Sequence, residues 1–428
     1  MSQPAAQSLE RRVVAKVSWR LLPYLFLLYV VAYLDRINVG VAHLQITRDL
    51  PIDDDAWGLG MGLFYGGYFL FEVPSNLILD RVGARAWIAR IMVVWGVISA
   101  SMIFVRGEWS FYVLRFLLGA AEAGFFPGIL YYLTRWFRRK DRARAIALFM
   151  TAGTLTGVLG SPLSGSLLGM DGMAGLKGWQ WLFLLEGLPA IALGGSVLFL
   201  LTERPESATW LSDEERGWLT RELQNEQAGQ DRGAGWSLLE TLTHPRVLML
   251  SAIYFLIASG GHAFEFWLPG IVKSLSGADN FRVTLLSAIP YLVATIIMVA
   301  VAHHSDRTGE RRLHVAISAF AAAAGFGAGA FLGTPVLALA ALSFAWAGVK
   351  ALQAPFWALP PEFLSGTRAA AGMALINSVG NLGGLAGPWL MGVLKKSTHS
   401  YSAGLMVSAV LLMAAGSAAL ALRKKPDR

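Results

Sequence analysis

Four charged residues, Asp35, Arg36, Arg115 and Glu122, stand inside stretches of otherwise apolar sequence. A charge in such a stretch costs about 2.5 to 3.5 kcal/mol on insertion scales and marks a functional position by default. Arg115 and Glu122 lie two helical turns apart, so both project from one face of a helix. An acid and a base on each of two helices predict a four-member cluster in a shared cavity. The bland alternative is a salt-bridge network that only holds the two helices together. It is the weaker reading, because apolar residues often replace buried ion pairs without loss. Desolvation favours the protonated form of a carboxyl group and a neighbouring Arg opposes that, so the balance places titration near neutral pH. An anion that competes for Arg36 or Arg115 removes the cation that kept Asp35 or Glu122 ionised. Proton uptake and anion binding are then linked.

Three further residues break the apolar pattern: His262, Glu265 and Lys350. Lys350 is placed to receive a second carboxylate, with Glu265 as its partner in the empty site. The alternatives are that Glu265 and Lys350 merely neutralise each other, or that Lys350 snorkels toward one surface. No H-E-x-x-H, G-x-S-x-G or P-loop pattern occurs. With no cysteine in the chain, thiol chemistry and Cys-based metal sites are excluded. The sequence therefore predicts no enzyme, no cofactor and no metal.

The elements that position these residues follow from composition. Of 428 residues only 15% are charged and 55% are hydrophobic, with mean hydropathy +0.51, whereas soluble domains are about 25% charged. The surplus apolar surface must face lipid. A bilayer helix needs about 20 mainly apolar residues, and twelve runs fit: 20–42, 56–79, 86–105, 109–133, 143–169, 179–201, 247–273, 283–303, 313–332, 336–360, 368–393 and 401–422. Asp35 and Arg36 fall in span 1, Arg115 and Glu122 in span 4, His262 and Glu265 in span 7, and Lys350 in span 10. Arg11, Arg12, Lys16 and Arg20, the run from Arg135 to Arg144, and Arg423, Lys424 and Lys425 all fall on one side of the membrane. The positive-inside rule makes that side cytoplasmic, with both termini inside an inner (plasma) membrane. The net charge of +8 is explained by this orientation and by anionic lipid rather than by nucleic acid.

Sliding the chain along itself by the distance from Asp80 to Asp306 superposes Asp80-Arg81-Val82-Gly83-Ala84-Arg85 on Asp306-Arg307-Thr308-Gly309-Glu310-Arg311. The same offset brings Arg142 onto Arg368, Gly157 onto Gly383 and Pro162 onto Pro388. The chain reads as two six-helix halves, 1–201 and 247–428, joined by a hydrophilic linker, 202–246. That linker carries a short helix from Ser212, with Glu215 placed for a capping box. Parallel six-helix repeats match the description of major facilitator transporters, which rock one half against the other around a midplane site. The Asp-Arg loops sit on the cytoplasmic side, and Asp80, Arg81, Arg85, Asp306, Arg307 and Arg311 are expected to latch helix ends in one conformation. Glu72 and Glu186 are expected near helix ends, paired with basic residues. Gly157, Gly160 and Pro162, with Gly383, Gly384, Gly387 and Pro388, are expected to serve close helix packing.

The two Asp-Arg-x-Gly-x-Arg loops resemble the major facilitator loop motif. Four longer stretches are similar to the anion:cation symporter family within it, and to its tartrate, phthalate and galactonate type of permease. These are Leu34 to Asn38, Tyr68 to Asn76, Arg115 to Gly128, and Ala374 to Gly384. The resemblance implies an all-α membrane protein of twelve helices in two pseudo-symmetric bundles, working as a monomer on protons and a small organic anion in a lipid bilayer. It implies Asp35 and Glu122 as proton carriers and Arg36 as anion binder, and we take Arg115 as tuning Glu122. It also implies that Tyr68, Trp357 and Asn377 contact the substrate. Ala354-Pro355-Phe356 stands where related galactonate carriers present polar groups. The expected activity is proton-coupled uptake of a hydroxy-dicarboxylate, sugar acid or aromatic carboxylate. The alternative is a proton-driven exporter, since Gly157-x-x-Gly160-Ser161-Pro162 partly resembles the span 5 motif of drug exporters, with Ser161 in place of a glycine.

Overall fold

The computed structural model describes residues 3–228, 240, 243–364 and 366–422. Arg423, Lys424, Lys425, the Arg368 side chain and part of the expected linker lie outside the described residues. Those described are helical, without strands. The first half comprises α1 (Gln3–Asp49), α2 (Asp54–Val82), α3 (Ala84–Ser101), α4 (Glu108–Glu122), α5 (Phe125–Thr134), α6 (Arg139–Leu168) and α7 (Gly178–Leu200), followed by a surface helix, α8 (Asp213–Ala228). The second half comprises α9 (Pro245–Ser276), α10 (Asn280–Thr308), α11 (Arg312–Phe331), α12 (Pro335–Ala351), α13 (Gln353–Ala358), α14 (Gly366–Thr398) and α15 (Ser402–Ala421).

Among the described residues, ten of the expected spans are long and apolar enough to cross a bilayer. The other two, α2 and α14, have the length, at 29 and 33 residues, but carry more polar side chains because they face each other across the interface between halves. Leu70, Leu77, Ile296, Ile317 and Val410 are exposed on the outside, forming the apolar belt that lipid requires.

Two spans differ from expectation. Span 4 is not one helix: α4 stops at Glu122, and Gly124 takes φ +89°, which opens α5 on a new course. A Cβ at Gly124 would lie 2.2 Å from Ser75 Oγ, so only glycine serves there. Span 10 is likewise interrupted, at Leu352 between α12 and α13. The offset that carries Asp80 onto Asp306 carries Gly124 onto Lys350, within two residues of the second interruption at Leu352. Non-helical backbone at membrane depth is tolerated where protein or a cavity surrounds it.

The other difference is at the start. Helix α1 runs well before the expected residue 20, and its buried Leu9, Val13 and Val17 recur at four-residue spacing as one helical stripe. Beside that stripe Lys16 Nζ lies 2.7 Å from Glu215 Oε2 and Arg12 Nε 3.3 Å from Glu215 Oε1. The expected capping box closes α8: Ser212 N–H donates to Glu215 Oε2 at 3.0 Å, and Glu215 N–H donates to Ser212 Oγ at 3.2 Å. Arg138 adds ion pairs to Glu10 at 2.9 Å and Glu222 at 3.2 Å, so α8 is clamped to the first half.

The halves meet most closely along α2 and α14. A Cβ on Gly62 would lie 2.4 Å from the Leu385 carbonyl oxygen, and one on Gly392 2.3 Å from that of Asp54. The two backbones touch because no side chains intervene. At the end of the bundle far from the N-terminus the seam is closed by ions: Lys395 to Asp54 at 2.6 Å, and Lys396 to Asp53 at 3.1 Å and Asp55 at 2.9 Å. At the other end the Asp-Arg loops make contacts within their own halves. Tyr131 donates to Asp80 at 2.7 Å, the Glu203 carboxylate accepts from Ala84 and Arg85 N–H at 2.9 Å each, and Arg311 pairs with Asp306 at 2.6 Å. Arg81 and Arg307 are exposed.

Candidate functional site

Helix α1 carries the site through the interior. Arg36 extends from it to the last residue of α4, where Nε donates to Glu122 Oε1 at 2.8 Å and the guanidinium forms an ion pair. Glu122 is completely buried, and its Oε2 has no partner among the described residues. The Arg36 guanidinium lies 5.7 Å from the ring centres of both Phe64 and Tyr68, within the range of cation–π attraction.

The expected four-member cluster is in fact split. Arg115, although on the same face as Glu122, donates from Nε to the Gly60 carbonyl at 3.4 Å and packs 5.0 Å from the centre of Phe64. Phe64 thus faces both guanidinium groups. Asp35 and Arg36 are consecutive, so about 100° of helical turn separates their side chains. Asp35 points into the first half, where Oδ1 accepts from the Ser99 hydroxyl and, at 3.3 Å, from Asn38 Nδ2. The pair is Arg36 with Glu122, and Asp35 stands apart from it.

The second wall of the site is built on α9 and α12. Glu265 accepts from Tyr33 Oη at 2.6 Å, lies 3.2 Å from His262 Nδ1, and pairs with Lys350 Nζ at 3.7 Å. Lys350 also donates to Tyr33 Oη at 3.3 Å and sits 4.3 Å from the Trp346 ring centre. Tyr65 Oη lies 3.2 Å from His262 Nδ1. Tyr33 and Arg36 are one turn apart on α1, so a single helix presents both groups to the space between halves. Each wall therefore holds one cation covered by one carboxylate, next to a helix interruption.

The remaining expected contacts are distributed around this centre. Tyr68 is buried beneath Arg36. Trp357, on α13, is half-buried and lies edge-on to Tyr254 with centroids 5.0 Å apart. Asn377 donates to Glu72 Oε1 at 2.8 Å and Asn381 to Glu72 Oε2 at 3.2 Å. Glu72 is therefore not a helix-end residue with a basic partner. It is buried in α2 and joined to amides of the other half. Glu186 is also misplaced by the sequence reading: it is buried in α7 and accepts from the Ser164 hydroxyl at 2.7 Å. Both acids interrupt apolar runs, Phe69-Leu70-Phe71-Glu72 and Phe183-Leu184-Leu185-Glu186, and that was the available signal. Tyr33 and Tyr65 gave no such signal, because an aromatic in a bilayer helix is ordinary. A separate cavity of about 560 Å³ opens at the far end, lined by His43, Arg48, Lys273, Lys395 and Tyr401 among others.

Two equivalent helical bundles with charged residues beside matching helix interruptions define a membrane transporter of the parallel-repeat kind. The Major Facilitator Superfamily profile matches residues 25–388, and the chain belongs to that superfamily. A protein of Agrobacterium vitis described as "Putative tartrate transporter" is 49% identical over 405 residues, covering 95% of this chain and 90% of that one. A "Quinolone resistance transporter" of Acinetobacter baumannii is 43% identical over 405 residues, covering 94% and 92%. Among solved structures, a bacterial homologue of the human lysosomal transporter Spinster, inward-facing and occupied, aligns with a TM-score of 0.77 at 18% identity, covering 95% of this chain and 98% of that one. At that identity the likeness is one of fold. The protein is a multi-pass membrane transporter and not an enzyme.

Proposed function

We propose that the chain imports a small organic anion together with protons, by alternating access between halves 1–201 and 247–428 joined by linker 202–246, with both termini cytoplasmic. The observation that carries this reading is the Arg36–Glu122 pair. Its carboxylate is fully buried, while the Arg36 side chain is 22% exposed, so an arriving anion meets the cation first. Once Arg36 turns to the anion, Glu122 is left as an unpaired charge away from water, a costly state that proton uptake relieves. Lys350 offers a second carboxylate the same exchange against Glu265, with His262 and Tyr33 holding Glu265 in place. Tyr68, Trp357 and Asn377 line the approach. Asp35 is the further proton carrier, and Arg115 tunes Glu122 and also sets the field around Asp35. Asp80, Arg81 and Arg85, with Asp306, Arg307 and Arg311, steady the helix ends while the cytoplasmic side is open. The tartrate-transporter name of one relative supports a hydroxy-dicarboxylate.

The quinolone-resistance name of the other relative keeps export as the second reading. A partly exposed Arg36 aimed at the pathway argues against lipophilic cations as cargo.

The test is uptake of labelled L-tartrate and of monocarboxylate analogues into proteoliposomes under an inward proton gradient. Glu122→Gln should abolish accumulation while sparing counterflow exchange. Accumulation at the wild-type level in Glu122→Gln, or transport only outward against the gradient, refutes the assignment.

A further inference from the structure

Asp35 does not stand alone in the first half. Asn38, fully buried, donates to it at 3.3 Å and also lies beside the Glu186 carboxylate. Ser99 of α3 supports one Asp35 oxygen, and Ser164 of α6 supports one Glu186 oxygen at 2.7 Å. The second oxygen of each acid, Asp35 Oδ2 and Glu186 Oε2, is buried without a partner, as are Asn38 Oδ1 and Ser161 Oγ. Ser161 and Ser164 share a face of α6. Among the described residues neither acid forms an ion pair. The charges that reach Asp35 are those of Arg115 and Glu122 from α4 and Arg36 from α1, and Glu186 faces Asp35 itself. From α3 and α6 the pocket receives hydroxyl groups. The result is a buried, oxygen-lined cluster of two acids with no ion-pair partner among the described residues.

We propose that Asp35 and Glu186 form one proton-binding site, sharing a single proton across Asn38, physically separate from the anion site at Arg36 and Glu122. Two buried carboxylates that face each other, neither with an ion-pair partner of its own, are costly to keep both ionised, and a shared proton is the least costly resolution. The pair then titrates as a unit. The site occupies the interior of the first half, about 100° around α1 from the cargo-facing Arg36, so a substrate anion does not displace the proton directly. Coupling passes through α1, which carries both Asp35 and Arg36. This proposal deepens the proton-coupled reading and rests on it, assigning Glu186 a place in proton binding.

The experiment is the pH profile of gradient-driven uptake for purified, reconstituted protein, with folding checked by thermal melting. In Glu186→Gln, Asp35 loses the like charge beside it and holds its proton less tightly, so the profile should move about one pH unit toward acid. Ser164→Ala removes a hydrogen bond to the charged acid and should move it toward alkaline pH. These opposite displacements are the signature of a shared proton, since a purely structural role lowers activity at every pH alike. If Glu186→Gln fails to fold, Ser164→Ala together with Ser99→Ala, which should also move alkaline, carries the test. Unmoved profiles, or displacements of one sign for Glu186→Gln and Ser164→Ala, overturn the proposal while leaving wild-type proton coupling intact. Loss of wild-type uptake when sodium chloride is replaced by choline chloride overturns the proton as occupant. Absence of any gradient-driven uptake in the wild type would instead refute the underlying transport reading.

Discussion

Arg36 reaches across from α1 to the end of α4 and covers the Glu122 carboxylate, Nε to Oε1 at 2.8 Å, where the helix breaks at Ala123 and Gly124. The break matters to the pairing. A continuous helix would carry span 4 straight on, whereas the turn at Gly124 ends α4 on Glu122 and sends α5 away from it.

Removing the cation tests both binding and burial. Arg36→Ala leaves a fully buried carboxylate unpaired, and breaking a buried pair in this way costs about 3 to 5 kcal/mol. Anion affinity should fall at least about 100-fold, and the melting temperature should drop at pH 7.5. The double variant with Glu122→Gln should recover the melting temperature and not the affinity. Recovery of neither would mean that the pair does not act as a unit. Arg36→Lys should retain only part of the binding, because a point charge lacks the guanidinium fork.

On the second wall, Lys350→Ala should weaken a dicarboxylate about 10- to 100-fold, the value of a charge-assisted hydrogen bond at about 1.5 to 3 kcal/mol. A monocarboxylate should lose much less. Equilibrium binding of tartrate and lactate to the variant measures the difference, and equal losses reduce Lys350 to a counter-ion for Glu265.

The far-end closure rests on Lys395 with Asp54 and on Lys396 with Asp53 and Asp55. Asp54→Asn combined with Lys396→Ala should shift the population toward far-end-open conformers several-fold, since each pair joins opposite halves in one state only. Spin labels at introduced cysteines report this directly, and the chain has no cysteine of its own to remove. An unchanged distance distribution would show that backbone packing alone holds the end shut.

The clamp on α8 makes a prediction in pH. Burial disfavours the Glu215 charge, but Lys16, the Ser212 N–H and Arg12 outweigh it and hold the carboxyl below its ordinary value of 4.5. A lowered value in the folded state means that the stabilisation is complete above the ordinary value and is lost as pH falls through the lowered one. Glu215→Gln keeps an acceptor for the Ser212 N–H and should destabilise by about 1 kcal/mol at neutral pH through loss of its ion pairs with Lys16 and Arg12. Melting curves of the two proteins should converge below pH 4, and a difference that persists there would place the effect in packing instead.

Much of this was legible in the residues. Twelve spans, their duplication and the capping box of α8 follow from hydropathy, offset and local chemistry, all properties of short windows. Arg36, Glu122, Glu265 and Lys350 declared themselves as charges in apolar runs. The pairing of Lys350 with Glu265 was legible as well; that of Arg36 was not. Pairing Arg36 with Glu122 rather than with Asp35 depends on which way consecutive residues face, and that is set by the packing of α1 against α6, α7 and α9. The interruption at Gly124 was hidden because the whole stretch Glu108–Thr134 is apolar enough to read as one continuous span, and the close approach of Ser75 that demands glycine there is a tertiary contact. Glu186 was misjudged by distance along the chain; depth in the bundle decides its environment.

The glycine seam between α2 and α14 has a bearing on evolution. With Gly62 against Leu385 and Gly392 against Asp54, the protein's resting posture is written partly in the main chain, where a single added methyl acts as a wedge. Descendants of this carrier can retune how long it idles facing each side of the membrane through such wedges, leaving every group that touches cargo or proton unaltered.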